Sequence, residues 1–332
     1  MPGNVMASAD RAAQQLLLVD KATVEALLAP AAVIEAVREA FVLHAERRGR
    51  VFPVLREALP SGGIFGIKAG DVADAGLLGF KAAGFWPQNR ARGGEPHQAT
   101  IVLIDPDSGR PQAIIDGNAI TTLRTGAAGG LGLRHLARRD SRRAVIFGTG
   151  VQARIQLSFA LDLMPSLAEI SYISGNDHPD RAFESLFAGR CDLSHRRDRN
   201  QAVATSDVVI TATPGGGPLF DDDAVAPGTH VTCVGADTAG KRELPEGLLA
   251  HCRLIVDDQP QAARIGELQW APMVPAIELG DIMTGAVRFE RAPDDITVFD
   301  MTGLALQDLT VGRLVFERAL AAGLGVSVPW PW

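Results

Sequence analysis

From Lys21 to about Arg47, apolar residues recur at helical spacing through "VEALLAPAAVIEAVREAFVLHA", which predicts an early amphipathic helix with Pro30 near its start. Short apolar runs follow: "VFPVLREAL", "GIFGIKAG", "LLGFKAAGFW", "QATIVLIDPDSG" and "PQAIIDG". Glycine, proline and "DPDSG" turn chemistry bound them, so this region reads as a mostly antiparallel sheet. A long helix is expected next, roughly Ala119 to Leu136. Its "GAAGGLGLR" face of small residues suits close packing against another backbone.

After Arg143 strands alternate with helices. "RAVIFGTG" precedes a helix through Leu163, followed by "AEISYISG", a helix near "PDRAFESLFAG", and the runs "DVVITAT", "THVTCVGA", "CRLIVDD" and "ITVFDMTG". Repeated apolar strands separated by helices predict an α/β fold with a doubly wound parallel sheet. The closing helix, "LQDLTVGRLVFERALAAG", comes after the last strand and is expected to return to the first domain.

Composition narrows the function classes. With 332 residues, 46% hydrophobic and 21% charged, the chain suits two ordinary globular domains. A net charge of -7 argues against a nucleic-acid partner, and the cluster "RRGR" reads as a solvated helix end. No apolar run is long enough to cross a bilayer. The leading "MPGNVMASADRAAQQ" lacks the apolar core of a signal peptide and reads as a frayed leader. Cys191, Cys233 and Cys252 are odd in number and show no CxxC spacing, so a reduced, cytoplasmic compartment is expected. No His/Cys cluster has ligand spacing, and no metal is expected.

The chemistry starts at "AVIFGTGVQARIQL": an apolar run, Gly148-x-Gly150-x-x-Ala153, then an apolar-periodic segment. In a strand–turn–helix context, Gly148 permits the tight turn and Gly150 lets the backbone approach a pyrophosphate. Ala153 lets the helix pack closely, and the helix N-terminus attracts phosphate. The next strand end, "ISYISGNDHPDR", should read the ribose, but it carries no clear acid at its tip. Ser174, Asn176 and Asp177 are candidates there. No arginine directly follows Gly175, which favours NAD(H), although Arg181 leaves NADP(H) open. Other strand-end segments point to the same crevice: "TATPGGGP" with Thr211 and Thr213, "VGADTAGKREL" with Val234 and Asp237, and "FDMTGLALQD" with Thr302 and Gly303. Thr125 completes the expected cofactor set. Asp237 is also good turn chemistry, and that reading weighs equally at this point.

In the first domain, Lys68, Lys81 and Arg124 each sit among apolar neighbours. Cations are rarely buried unless paired, so each needs a fixed partner: a substrate carboxylate or an internal acid. Three together, with Arg56 and His97 nearby, point to an anion pocket.

These residues lie in stretches that resemble the ornithine cyclodeaminase/mu-crystallin family over almost the whole chain. The matching segments are "GFKAAGFWPQNRARGG", "HQATIVLIDPDSGRPQAIIDGNAITTLRTGAA", "VIFGTGVQA", "SDVVITAT", "GTHVTCVGADTAGKRELP" and "FDMTGLALQD", in order. The resemblance implies a Rossmann domain, residues 126–307, inserted into an α+β substrate and dimerisation domain of residues 1–125 plus 308–332. It implies a homodimer formed through the N-terminal domain. It also puts Lys81, Arg124 and Arg56 on a substrate α-carboxylate, Asp237 beside the substrate nitrogen, and Gly148, Gly150, Val151, Gln152 and Ala153 in the phosphate loop. One departure bears on the substrate. Where the cyclodeaminases carry a glutamate for the distal amino group of ornithine, this chain has Lys68. A cation there repels an ammonium and welcomes a second carboxylate, held by Lys68 with Arg56 and His97. The segments "FPVLREAL", "GFKAAGFWPQN" and "VFDMTGLALQDL" resemble the iminosuccinate reductases of this family. The expectation is therefore an NAD(P)H-dependent imino-acid reductase acting on iminosuccinate. Ornithine cyclodeaminase, cyclic-ketimine reductase and a non-catalytic ligand-binding protein are the rivals.

Overall fold

The computed structural model describes residues 15–330, so the expected leader lies almost wholly outside the described residues. The chain divides into two compact units, one of residues 1–124 with 304–332, the other of residues 125–303.

The first unit is built on one mixed eight-stranded sheet. In chain order its strands begin with β1 (Gln15–Val19), β2 (Gly49–Val51), β3 (Leu55–Ala58) and β4 (Ile64–Val72). β5 (Leu77–Phe85), β6 (His97–Ile104) and β7 (Pro111–Asp116) follow, and the final strand is Val326–Pro329. Their spatial order is final strand, β1, β7, β6, β5, β4, β2, with β3 also on β4. All pairs are antiparallel except β1 with β7. The mostly antiparallel expectation holds, and it left out β1 and the final strand that pairs with it.

Pleating turns Gly66, Lys68, Gly70 and Val72 of β4 to the buried face, together with Leu77, Gly79 and Lys81 of β5. The terminal helix, Ala305–Ala322, packs on that face. Small residues beneath it are a steric requirement: a Cβ on Gly79 would lie 2.4 Å from the Val102 carbonyl oxygen and 2.9 Å from Leu309. The early helix, Pro30–Ala45, has Pro30 as its first residue, where no hydrogen bond is lost, and packs against the terminal helix.

The second unit holds an eight-stranded, all-parallel sheet. Its strands are β8 (Arg143–Phe147), β9 (Glu169–Ile173), β10 (Asp192–His195) and β11 (Val208–Thr211), then β12 (His230–Cys233), β13 (Arg253–Val256), β14 (Ala276–Glu278) and β15 (Thr297–Asp300). The order is β10-β9-β8-β11-β12-β15-β13-β14. Both faces are covered. Val145, Phe147, Val209 and Val231 pack in one core, while Ala144, Ile146, Ile170 and Tyr172 pack in another. Thr211 is in register with Phe147 and Cys233, Phe147 with Ile173, and Cys233 with Asp300. The loops after these strands therefore leave from one edge of the sheet.

The long helix runs Gly117–Leu136, and the division between the units falls within it. Its small residues receive side chains rather than the backbone expected. A Cβ on Gly126 would meet Ile155 and Phe159, and one on Gly129 would lie 1.9 Å from the Gln156 side chain. Both contacts are with the helix Val151–Leu163.

Candidate active site

In the first unit, Lys68 and Lys81 are direct partners across β4 and β5, both on the buried face, with 7% and 4% exposure. Like charges placed opposite one another destabilise a sheet unless anions hold them. The terminal helix supplies one. Asp308, fully buried, accepts a hydrogen bond at Oδ1 from Lys81 Nζ at 2.8 Å. Arg124 Nε lies 3.1 Å from the same oxygen, and Arg124 also donates to the Gln307 side chain at 3.0 Å. Thr121 accepts from Lys81 at 3.3 Å. Asp308 Oδ2 has no hydrogen-bond partner among the described residues.

Burial, reinforced by the Arg124 charge, lowers the Lys81 ammonium to about 7 despite the opposing pull of Asp308. For Asp308, burial raises the carboxyl, but the charges of Arg124 and Lys81 outweigh it and hold the group below the ordinary carboxylate value. Two cations thus share one carboxylate oxygen, and the Lys81–Arg124–Asp308 group carries more positive charge than negative. Such a group is chemically matched to one more anion.

The neighbours expected around these cations divide. Arg56 pairs with Gly66 on β4, one same-face step from Lys68. His97 pairs with Phe85 at the far end of β5, roughly 13 Å along the strand from Lys81 at 3.4 Å per residue. Its Nδ1 lies 3.0 Å from the Asn118 side-chain oxygen, so the structure does not gather His97 with the lysines. The pleat turns Glu57 and Asp71, acids near Lys68 in sequence, to the opposite face, and Asp71 pairs with Arg50.

In the second unit, Gly148 has φ +103°, and a Cβ there would lie 2.6 Å from the Ala212 carbonyl oxygen. Only glycine suits that turn. Gly150 caps the 13-residue helix Val151–Leu163 without any side-chain cap, and no heavy atom lies within 4 Å of where its Cβ would be. Ala153 is fully buried against the turn. Gln152 Oε1 is a buried oxygen with no hydrogen-bond partner among the described residues, and Val151 is exposed. An uncapped helix N-terminus with open space in front of glycine fits a dinucleotide pyrophosphate.

The loops beyond the other strand ends are held by acids. Glu243, fully buried, accepts from Thr211 Oγ1, Thr213 N and Oγ1, and Gly235 N at 2.6 to 2.8 Å. The expected cofactor residues Thr211 and Thr213 thus spend their hydroxyls on Glu243. Thr302 Oγ1 donates to Asp257 at 2.7 Å, and the Gly303 amide donates to the same carboxylate. Thr125, buried, accepts from Gln156 at its carbonyl. Val234 donates its amide to the Thr211 carbonyl, tying its loop to β11.

Asp237 sits on the loop after β12, part-exposed, with Lys241 Nζ 2.8 Å and Thr238 Oγ1 3.1 Å from its Oδ1. The loop is gripped from outside. Gln269 accepts from Gly240 N at 2.7 Å, Trp270 Nε1 donates to the Lys241 carbonyl at 2.9 Å, and Arg242 stacks over the Trp270 ring. At the end of β9, Ser174 is buried and donates to the His178 carbonyl, so its hydroxyl shapes the turn. Asn176 and Asp177 are exposed, Asp177 with φ +57°, and its carbonyl accepts from Arg197 at 3.2 Å. Arg181 opens the following helix.

Sequence reasoning missed Asp308, Gln307, Glu243, Gln269 and Trp270. The signal for Asp308 was available: an acid inside the apolar run "LALQDL" poses the same question as a lysine inside an apolar strand.

The chain is similar to known proteins along nearly their full length. The iminosuccinate reductase of Paracoccus denitrificans is 33% identical over 323 residues, 94% of this chain and 99% of that protein. Its crystal structure in complex with NAD+ superposes with a TM-score of 0.85 at 32% identity, covering 95% of this chain and 99% of that one. An archaeal alanine dehydrogenase dimer with bound NAD gives a TM-score of 0.89 at 30% identity, covering 96% and 100% of the two chains. The Δ1-pyrroline-2-carboxylate reductase of Thermococcus litoralis, in complex with NADH and L-proline, gives 0.87 at 28% identity, covering 94% and 100%. The sequence profile of the ornithine cyclodeaminase/mu-crystallin family matches residues 14–323. With the sheet order, the glycine turn and the buried cation group in place, the chain belongs to the ornithine cyclodeaminase/mu-crystallin family.

Proposed function

We propose that this protein is an NAD(P)H-dependent imino-acid reductase, with iminosuccinate as substrate and L-aspartate as product. The observation that carries the reading is the buried cation group. Lys81 and Arg124 share a single carboxylate oxygen, and Lys68 stands directly opposite Lys81 on the same face. The first pair would clamp the α-carboxylate and hold the imine carbon in one orientation. Lys68, with Arg56 beyond it, would take the distal carboxylate. Asp237 would supply the negative charge complementary to a protonated imine and exchange its proton. The nicotinamide, when bound, supplies the hydride. Gly148, Gly150 and the Val151–Leu163 helix N-terminus would hold its pyrophosphate. NAD(H) is the preferred form in this reading, because Asn176 and Asp177, not an arginine, are exposed after Gly175. The relatives' activities with alanine and pyrroline carboxylate support the reductive, amino-acid-forming class. The identity with the Paracoccus enzyme and the second cation support the dicarboxylate.

A homodimer belongs to the same proposal. The sheet face away from the terminal helix carries Ile67, Leu78, Phe80 and Val102, all partly exposed, a surface suited to a second copy.

The decisive experiment is a screen of NADH and NADPH oxidation with oxaloacetate plus ammonia, pyruvate plus ammonia and cyclic ketimines, beside L-ornithine conversion to proline. Fastest turnover with oxaloacetate plus ammonia is expected. Preference for pyruvate or a cyclic ketimine would move the assignment to a monocarboxylate imine, and proline formation would make the protein a cyclodeaminase.

A further inference from the structure

Among the described residues, Asp308 is the acid that touches both clamp cations, and its position suits a dedicated task. It enters from the terminal helix, fully buried, and presents a single oxygen to Lys81 at 2.8 Å and Arg124 at 3.1 Å. Gln307, its neighbour on the helix, fixes the far side of the Arg124 guanidinium. The charged groups facing Lys81 are Arg124 from the long helix, Asp308 from the terminal helix and Lys68 from β4. Of these, Asp308 alone favours the ammonium over the amine. Without it, an amine buried beside a guanidinium and a second lysine would have little reason to hold a proton.

We propose that Asp308 is the positioning residue of the carboxylate clamp: it holds Lys81 and Arg124 on one oxygen and keeps the lysine cationic, so that substrate capture follows the protonation of Lys81. The proposal rests on the reading of Lys81 and Arg124 as carboxylate ligands. An arriving carboxylate adds the second negative charge, so the clamp stays closed on the substrate while Asp308 keeps its geometry. The sign follows directly. As pH rises through about 7, free Lys81 loses its proton and the clamp loses one of its two cations. Anion affinity must then fall with rising pH, and removing Asp308 must move that fall to lower pH. Lys81→Arg must flatten it, because a guanidinium does not titrate in this range.

Succinate is a suitable probe, because it carries two carboxylates and cannot be reduced. Its binding to the NAD+-loaded protein is measured by calorimetry from pH 5.5 to 9, with circular dichroism confirming the fold of each variant. In the wild type, affinity should weaken about tenfold for each pH unit above the midpoint, the limit for a single titrating group. Asp308→Asn should bring the midpoint down by about a unit or more, and Lys81→Arg should remove the slope. Asp308→Glu keeps the charge but displaces the oxygen. It should retain the wild-type midpoint while binding more weakly, which keeps the test alive if the asparagine variant does not fold. An unmoved midpoint in Asp308→Asn, a lowered one in Asp308→Glu, or a persisting slope in Lys81→Arg overturns the proposal. A wild type that binds no succinate at any pH would instead overturn the carboxylate clamp itself, and the role of Asp308 with it.

Discussion

Lys68 and Lys81 face one another in register across two antiparallel strands, both side chains on the face beneath the terminal helix. An arrangement this costly to a sheet has a use if the pair divides a dianion, one carboxylate at each end. Lys68→Met should raise the Michaelis constant for iminosuccinate, generated from oxaloacetate and ammonia, about 30-fold or more, the equivalent of roughly 2 kcal/mol. The imine of pyruvate should be affected by less than about threefold, because it has no distal carboxylate for Lys68 to meet. Lys68→Glu should abolish dicarboxylate use. Steady-state kinetics with the two keto acids separates the cases: equal losses on both substrates would make Lys68 a structural cation and end the dicarboxylate assignment.

The architecture was legible because both sheets announce their period. Short apolar runs such as "VVIT", bounded by turn residues, read as strands buried on both faces, and "GIFGIKAG" alternates as a half-buried strand does. Sheet order was less legible. Nothing in the run "ITVFD" says that β15 slots between β12 and β13, since spatial neighbours are chosen by packing and not by local pattern. At the site, the lysines stood out as charges in apolar strands, but the acid that pairs with Lys81 lies 227 positions away in sequence. Pairing across that distance is written in the tertiary fold alone. Glu243 was hidden for another reason: "KREL" reads as a solvated turn until Thr211, Thr213 and Gly235 are seen to converge on it. His97 shows the converse, a residue grouped with the lysines in the sequence reading that the strand register places four residues along from Lys81.

The two glycines of the dinucleotide turn should fail differently. Gly148→Ala forces a Cβ toward the Ala212 carbonyl at a positive φ, so the loss is structural and the melting temperature should drop. A cost of about 2 kcal/mol or more is expected. At Gly150 a Cβ would have no neighbour within 4 Å, so Gly150→Val should leave the fold with little change in melting temperature. The branched side chain would instead occupy the approach to the helix N-terminus, and NADH affinity should fall about 100-fold, the scale of losing the backbone contacts to one phosphate. Differential scanning fluorimetry and NADH titration distinguish them. Unaltered NADH binding in Gly150→Val would remove the phosphate loop from this turn.

His230 gives a pH dependence with a definite sign. It is fully buried in β12, with Nδ1 2.8 Å from Thr297 Oγ1 and Nε2 3.0 Å from Thr232 Oγ1. Burial, helped by the Arg291 charge, pushes the imidazole down to about 3. The unfolded chain takes up this proton near pH 6.5 and the folded one only near 3. The stability contribution is therefore intact above about pH 6.5 and is lost as pH falls toward 3, at up to about 1.4 kcal/mol per pH unit. His230→Gln should flatten the stability profile by one proton over that window. Urea unfolding at pH 4.5, 5.5 and 7 reads the slope directly, and an unchanged slope in the variant would mean that His230 titrates normally in the fold.

Asp237 is held as a functional acid would be, and its replacement should separate chemistry from structure. Lys241 lies 2.8 Å from its carboxylate, while Gln269 and Trp270 fix the backbone of its loop independently of the side chain. Asp237→Asn keeps the shape and removes the charge, so the loop should stay in place and NADH affinity should be unaltered. Turnover should fall about 100-fold or more, the range for losing a general acid or base that also stabilises a cationic imine. Lys241→Met leaves the carboxylate but removes the ammonium 2.8 Å from it. A smaller loss of about tenfold in turnover is expected there. If Asp237 were only a turn residue, Asp237→Asn would turn over at the wild-type rate. Lys241→Met would then change melting temperature alone. The two variants, compared by kcat, NADH affinity and melting temperature, decide between a proton-handling aspartate and a loop-forming one.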